Sequence, residues 1–335
     1  MNRPWRIGLI GAGWVTQHHL KGWARLAGRA EVAAIADPST ERRGVRAREF
    51  GIPRDYASAE AMLAEGGLDA VDVAAPRSVH AELVRLAVDH GLPVLCQKPL
   101  APTLAEAEAL VASVEGRARL MVHENWRFRA YYREAASWLA SGAIGTPFAA
   151  RLAVVTSGTL PDAAGRYPAL ERQPFIRGET RMLVAEVLIH HLDTLRMLLG
   201  PLRITTCAMG RTCPDMVGED TALIQLTGTD GLAVQVFATF AAHGHPASAG
   251  DGLEIFGPRG AIRLDGADLS MTGAETRARS FDLAAAYEGS YAATIAHFID
   301  RLDDGAPFET GPEDNLETLR LVEACYRLAG REGAR

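Results

Sequence analysis

Three groups of residues in this chain have types and spacings suited to chemistry. The first is Gly11-Ala12-Gly13-Trp14-Val15-Thr16. Gly11 permits a tight turn there, and Gly13 lets the backbone approach a pyrophosphate. The helix that follows offers free N–H groups and the positive end of its dipole. Asp37 follows Gly11 by 26 residues, at the end of a second predicted strand. Its carboxylate can accept from the diol of an adenosine ribose and would repel a 2′-phosphate, which favours NAD. Arg42 and Arg43 close by leave NADP open. The fingerprint departs from its usual form at one point, since Thr16 stands where Gly or Ala is expected.

The second group is Cys96-Gln97-Lys98-Pro99-Leu100, at the end of another predicted strand. That edge of an open α/β sheet is where ligands bind. A lysine there can hydrogen-bond a substrate hydroxyl and stabilise a developing alkoxide. Lysine occurs only twice in the chain, at Lys21 and Lys98, against 33 arginines. The two are not interchangeable, because a buried lysine shifts its pKa whereas arginine stays charged. The third group is Glu186 and His190, four residues apart on a predicted helix and therefore on one face. A carboxylate beside an imidazole orients it and favours its protonated form.

Elements must position these groups. In the first 125 residues short apolar runs alternate with helical patterns. Strands are predicted at Ile7–Ile10, Val32–Ala36, Ala70–Ala75, Pro93–Cys96 and Arg119–Val122. Helices are predicted at Val15–Leu26, Val79–Val88 and Leu104–Val114. This alternation predicts an α/β domain with a doubly wound parallel sheet. After Gly145 the pattern changes to strand-like runs punctuated by Gly and Pro, which predicts an α+β domain with a large, mostly antiparallel open sheet. One long helix, Thr180–Leu199, enters it, and two helices close the chain near Tyr287–Asp303 and Pro312–Ala329. The expected division is 1–125 for dinucleotide binding and 126–335 for substrate binding and dimerisation.

Composition narrows the field. The 335 residues carry a net charge of −6 and are 48% hydrophobic, the profile of a globular protein with a full core. The acidic balance gives no basis for nucleic-acid binding. No apolar run is long enough to span a membrane, and the N-terminus lacks the pattern of a signal peptide, so the expectation is cytoplasmic. The four cysteines, Cys96, Cys207, Cys213 and Cys325, form no CxxC pair and are expected to be reduced. His123-Glu124 is not a zinc HExxH, and no metal site is expected. Neither the Tyr-xxx-Lys of short-chain dehydrogenases nor a GxSxG elbow occurs.

Taken together, GAGWVTQHH, APRSVHAELVRLAVDHGLPVLCQKPLAPT, NWRF and HHLDTLRMLLGP resemble the Gfo/Idh/MocA oxidoreductases over almost the whole chain. The resemblance implies a Rossmann domain followed by a domain with a large open sheet, often used for dimerisation, and hence a homodimer or homotetramer through that sheet. It implies hydride transfer between a nicotinamide cofactor and a sugar or polyol hydroxyl carbon. It places cofactor contacts at Gly11, Gly13, Trp14, Val15 and Asp37, and also at Pro76, His80, Gln97 and Lys98. Lys98 and His190 carry over as catalytic residues, with Glu186 in the acidic position ahead of His190. Asn125, Arg127 and Asp193 are implied at the substrate, beside Lys98 and His190. His191, His18 and His19 are read as ordinary structural positions. The usual Glu-Lys-Pro appears here as Gln97-Lys98-Pro99, and the usual Pro-Asn as Pro76-Arg77. That form resembles a subgroup containing aldose dehydrogenases that act on pentoses such as apiose. Two other readings share these residues: a sugar-modifying enzyme that recycles bound NAD, and a dinucleotide-sensing regulator.

Overall fold

Strand β1 (Trp5–Ile10) is apolar at nearly every position, which suits a strand covered on both faces. It lies at the middle of a six-stranded sheet in the computed structural model of the chain, which describes residues 3–331. The other strands are β2 (Ala30–Ala36), β3 (Asp55–Tyr56), β4 (Ala70–Val73), β5 (Val94–Gln97) and β6 (Leu120–His123). Their order is β3-β2-β1-β4-β5-β6, and every pair is parallel. Helices α1 (Thr16–Ala24), α2 (Thr40–Phe50), α3 (Ala59–Glu65), α4 (His80–Asp89) and α5 (Leu104–Val114) connect them. The order reverses between β1 and β4, the switch point at which doubly wound sheets bind ligands.

Sequence signals place the helix ends. Ser39 accepts from the Arg42 N–H and caps α2, which Gly51 terminates at φ 67°. Thr103 and Glu106 form a reciprocal capping box on α5.

The second sheet has eight strands in the order β14-β13-β12-β11-β7-β10-β9-β8. They are β7 (Ala149–Val155), β8 (Arg203–Gly210), β9 (Thr221–Thr227), β10 (Ala233–Thr239), β11 (Gly252–Gly257), β12 (Gly260–Asp265), β13 (Asp268–Gly273) and β14 (Arg277–Ser280). Neighbours are antiparallel except β7 and β10. Burial alternates along β9, where Ala222, Ile224 and Leu226 point inward and Leu223 and Gln225 outward. Helices α6 (Ala130–Ala140), α7 (Pro168–Arg172) and α8 (Ile189–Leu199) belong to this part of the chain.

The chain divides into two units, and the division is not the contiguous one expected. The first unit comprises the residues up to Phe128 together with Tyr287–Leu319, and the second comprises Arg129–Ala286 and the chain from Arg320 on. The segment from Tyr287 lies in α9 (Leu283–Asp304) and the start of α10 (Pro312–Leu328). Ile295, Phe298 and Ile299 of α9 are buried in one core with Trp5, Ile7, Trp23, Leu95 and Met121. Helical periodicity shows that α9 has an apolar face but not which sheet that face covers.

Candidate active site

Each parallel strand of the first unit ends at the same sheet edge, and the predicted residues of this unit follow those ends. Gly11 follows β1 with φ 105°, a conformation that favours glycine. A Cβ there would lie 2.5 Å from the Ala74 carbonyl oxygen beyond β4, so the turn is possible only without a side chain. At Gly13 a Cβ would meet nothing within 4 Å, which leaves open space beside the loop. Val15 precedes α1 without a side-chain cap, so the helix presents its N–H groups there. Thr16 is fully buried, and its hydroxyl donates back to the Gly11 carbonyl at 3.2 Å. The hydroxyl thus closes the loop internally, which accounts for threonine at that position. Trp14 is half exposed at the same turn.

Asp37 ends β2 and pins this loop. One carboxylate oxygen accepts from the Ala12 N–H at 2.8 Å and the other from the Ser39 N–H at 2.8 Å. Arg42 reaches the second oxygen at 3.3 Å, whereas Arg43 pairs with Asp55 at 2.8 Å. The open space at Gly13, the uncapped helix start and the carboxylate together fit a dinucleotide.

Pro76 begins the turn after β4 in extended geometry. His80 is buried and spans two loops, with Nδ1 2.8 Å from the Pro99 carbonyl and Nε2 2.9 Å from the Ala75 carbonyl. Burial lowers its pKa against the pull of those two carbonyls, and the Lys98 and Arg77 charges lower it further. His80 therefore ties the loop that carries Lys98 to the turn after β4, where the sequence suggested a cofactor contact. Gln97 acts on the same loop, since its side-chain oxygen accepts from the Lys98 N–H at 2.7 Å. Burial pulls the Lys98 ammonium down to about 8, Glu124 opposes that shift and Arg77 adds to it.

Two residues implied at the substrate have partners within the first unit. Asn125 is buried and donates to the Ser290 hydroxyl at 2.8 Å. The buried Arg127 pairs with Asp314 at 2.8 Å and with Glu309 at 3.7 Å. Both join the segment after β6 to the C-terminal helices, a bracing role that spacing could not distinguish from substrate contact.

His19 is not an ordinary helix position. It is fully buried, and its Nδ1 donates to Asp72 in β4 at 2.9 Å. Trp23 donates to the same carboxylate at 2.7 Å, and the His19 ring lies 4.2 Å from that of His123. These contacts fasten α1, and with it the glycine loop, to the centre of the sheet. An acid inside an apolar strand, in Ala70-Val71-Asp72-Val73, was the available sequence signal.

In the second unit the expected single helix is two. Leu183–Leu188 is π-helical, and α8 begins at Ile189. The buried Glu219 carboxylate caps the start of this segment: it accepts from the Val184 N–H at 3.0 Å and from the Tyr326 hydroxyl at 2.5 Å. Such π segments concentrate at functional sites. Gly218 allows the approach, since a Cβ there would lie 2.5 Å from the Glu179 carbonyl oxygen. Glu186 lies in the π segment, half-buried, and His190 is buried in the first turn of α8. Asp193 is buried with Arg196 at 3.8 Å. His191 is structural, as read: its Nε2 donates to the buried Asp251 at 2.9 Å. Tyr132 donates to Asp251 at 2.8 Å, and Arg129 lies 3.8 Å from it.

Among the described residues no cluster of acidic, histidine and cysteine side chains could hold a metal ion, and no helix is long and apolar enough to cross a membrane.

Known proteins match along the same lines. Residues 5–124 match an oxidoreductase family with an NAD-binding Rossmann fold, and residues 132–263 match the GFO/IDH/MocA C-terminal domain. The D-apiose dehydrogenase of Paraburkholderia graminis is 34% identical over 97% of this chain and 87% of that protein. The D-apiose dehydrogenase of Rhizobium rhizogenes is 34% identical over 96% of this chain and 94% of that protein. A crystal structure of an oxidoreductase from Agrobacterium radiobacter, in complex with NAD+, L-tartaric acid and magnesium, superposes with a TM-score of 0.90. It is 31% identical and covers 98% of this chain and 97% of that one. With this agreement in both halves, the chain belongs to the Gfo/Idh/MocA family of NAD-binding oxidoreductases.

Proposed function

We propose that this oxidoreductase oxidises the hydroxyl-bearing carbon of a small sugar, an aldopentose of the apiose type above all. The observation that carries the reading is Lys98, half-buried with its ammonium pulled down to about 8, at the strand edge that also holds the glycine loop and Asp37. The near full-length likeness to D-apiose dehydrogenases supports the pentose class.

Bound NAD supplies a two-electron acceptor for the hydride that leaves the carbinol carbon. Gly11 to Val15 hold the pyrophosphate, and Asp37 the adenosine ribose. Lys98 holds the substrate hydroxyl and takes its proton, and within the second unit Glu186 orients His190. The hydroxyl O–H bond breaks as the new N–H bond forms, so the product is the carbonyl or lactone.

The outward face of the eight-stranded sheet is where a second copy of the chain would pack. Phe237 stands opposite Leu223 in register, and these large apolar side chains are 38% and 40% exposed. Such a pair supports a homo-oligomer through this sheet.

The test is NADH formation across a panel of aldoses, polyols and sugar acids, with NADP in parallel. Net NADH should accumulate with one or more aldopentoses, and NAD should be preferred because Asp37 faces the ribose. Product without net NADH would favour the cofactor-recycling reading, and NAD binding without turnover would favour a regulator.

A further inference from the structure

Glu124 stands at the same strand edge as Lys98. β5 and β6 are parallel neighbours, and their last registered pair is Gln97 with His123. The next residues on the two strands are Lys98 and Glu124, so the two leave the sheet side by side. The Glu124 residue is fully buried. A carboxylate is carried to that depth only with donors or a cation to meet it. The Trp126 N–H donates to its Oε1 at 3.3 Å, and the Lys98 charge lies within its electrostatic reach. Gln97 serves the main chain of Lys98, and the Glu124 charge acts on its ammonium.

We propose that Glu124 is a positioning residue for Lys98. Its carboxylate holds Nζ at the strand edge and stabilises the ammonium that forms when Lys98 takes the substrate proton. Two charges act on Nζ within this unit: Glu124 favours the ammonium, and Arg77, in the turn after β4, disfavours it. His80 at the start of α4 touches the same loop through the Pro99 carbonyl, and the Lys98 charge acts on it. Glu124 thus balances burial and Arg77, and keeps the amine near the pH at which it must both accept and release a proton. The catalytic part of this inference rests on the dehydrogenase reading, whereas the pairing of the two side chains does not.

The scarcity of lysine gives a direct test. Only Lys21 and Lys98 occur in the chain, so amine acetylation followed by mass spectrometry reads Lys98 alone, with the exposed Lys21 as reference. The pH midpoint of Lys98 modification is measured in the NAD-bound wild type, Glu124→Gln and Glu124→Asp. Loss of an opposite charge at this range moves a midpoint by about one to three pH units. Glu124→Gln should move it that far toward acid, and Glu124→Asp should move it less in the same direction. The kcat profile for oxidation should shift with it, with a several-fold loss at alkaline pH. Should Glu124→Gln fail to fold, Glu124→Asp carries the test. An unmoved midpoint in the folded variants overturns the proposal. A moved midpoint without turnover on any sugar leaves the pairing standing and removes the dehydrogenase reading, and turnover with an unmoved midpoint does the reverse.

Discussion

Replacing Lys98 with methionine should lower kcat by about 10²–10⁴-fold, the usual worth of a positioned proton-transfer group. NAD affinity should change only a few-fold, because the pyrophosphate and ribose contacts lie on other loops. Methionine keeps the apolar stem and removes only the charge and the proton, so the core around the Lys98 loop stays packed. The pH dependence carries the sign. Lysine accepts a proton only as the free amine, and its pKa lies at about 8. Sugar oxidation by the wild type should therefore rise as pH climbs through about 8, and Lys98→Met should lack that rise. Steady-state kinetics with calorimetric NAD titration checks both parts. Unchanged turnover would remove Lys98 from the reaction.

Replacing Asp251 should have the largest effect on stability. The carboxylate is buried among His191, Tyr132 and Arg129. Burial alone would raise its pKa, but the His191 and Arg129 charges and the bonds from His191 and Tyr132 hold it below the ordinary carboxylate range. Asp251→Ala strands a guanidinium and two other donors in the interior, which costs about 3–5 kcal/mol. The consequence reaches His190, since His191 fixes the rotation of α8 through this bond. A depressed pKa gives stability that is present above the unfolded value and lost as pH falls toward the folded one. The stability gap between wild type and Asp251→Asn should therefore be full at pH 7 and shrink as pH falls below about 4. Denaturant unfolding at several pH values reads that gap, and a gap independent of pH would show that the Asp251 charge is not what stabilises the fold.

Much of this was legible in the sequence, for identifiable reasons. The glycine loop, Asp37 and Lys98 are local features whose chemistry depends on neighbours in the chain, and they stand where the pattern placed them. Leu104–Val114 was read to its ends because Thr103 and Glu106 cap it through adjacent residues. The failures involve distant partners. The helix expected over Thr180–Leu199 begins with a π segment, and Glu219, which caps its start, lies more than thirty residues further along. Arg127 meets Asp314, and His19 meets Asp72, and no spacing rule encodes either pair. Glu124 was within reach. Any residue that directly follows a strand of a parallel sheet stands at the ligand edge, and Glu124 qualifies as fully as Lys98 does.

The return of α9 to the first core has a consequence for biosynthesis. Trp5, Ile7, Trp23 and Met121 leave the ribosome long before Ile295, Phe298 and Ile299, which share their core. At about 5–20 residues per second the wait is on the order of ten seconds. Throughout it, the nascent nucleotide-binding sheet carries an apolar face that later residues will cover. A chain that stops short of Tyr287 never closes that face. The late helix is thus what closes this core, and an unfinished chain leaves its apolar face open.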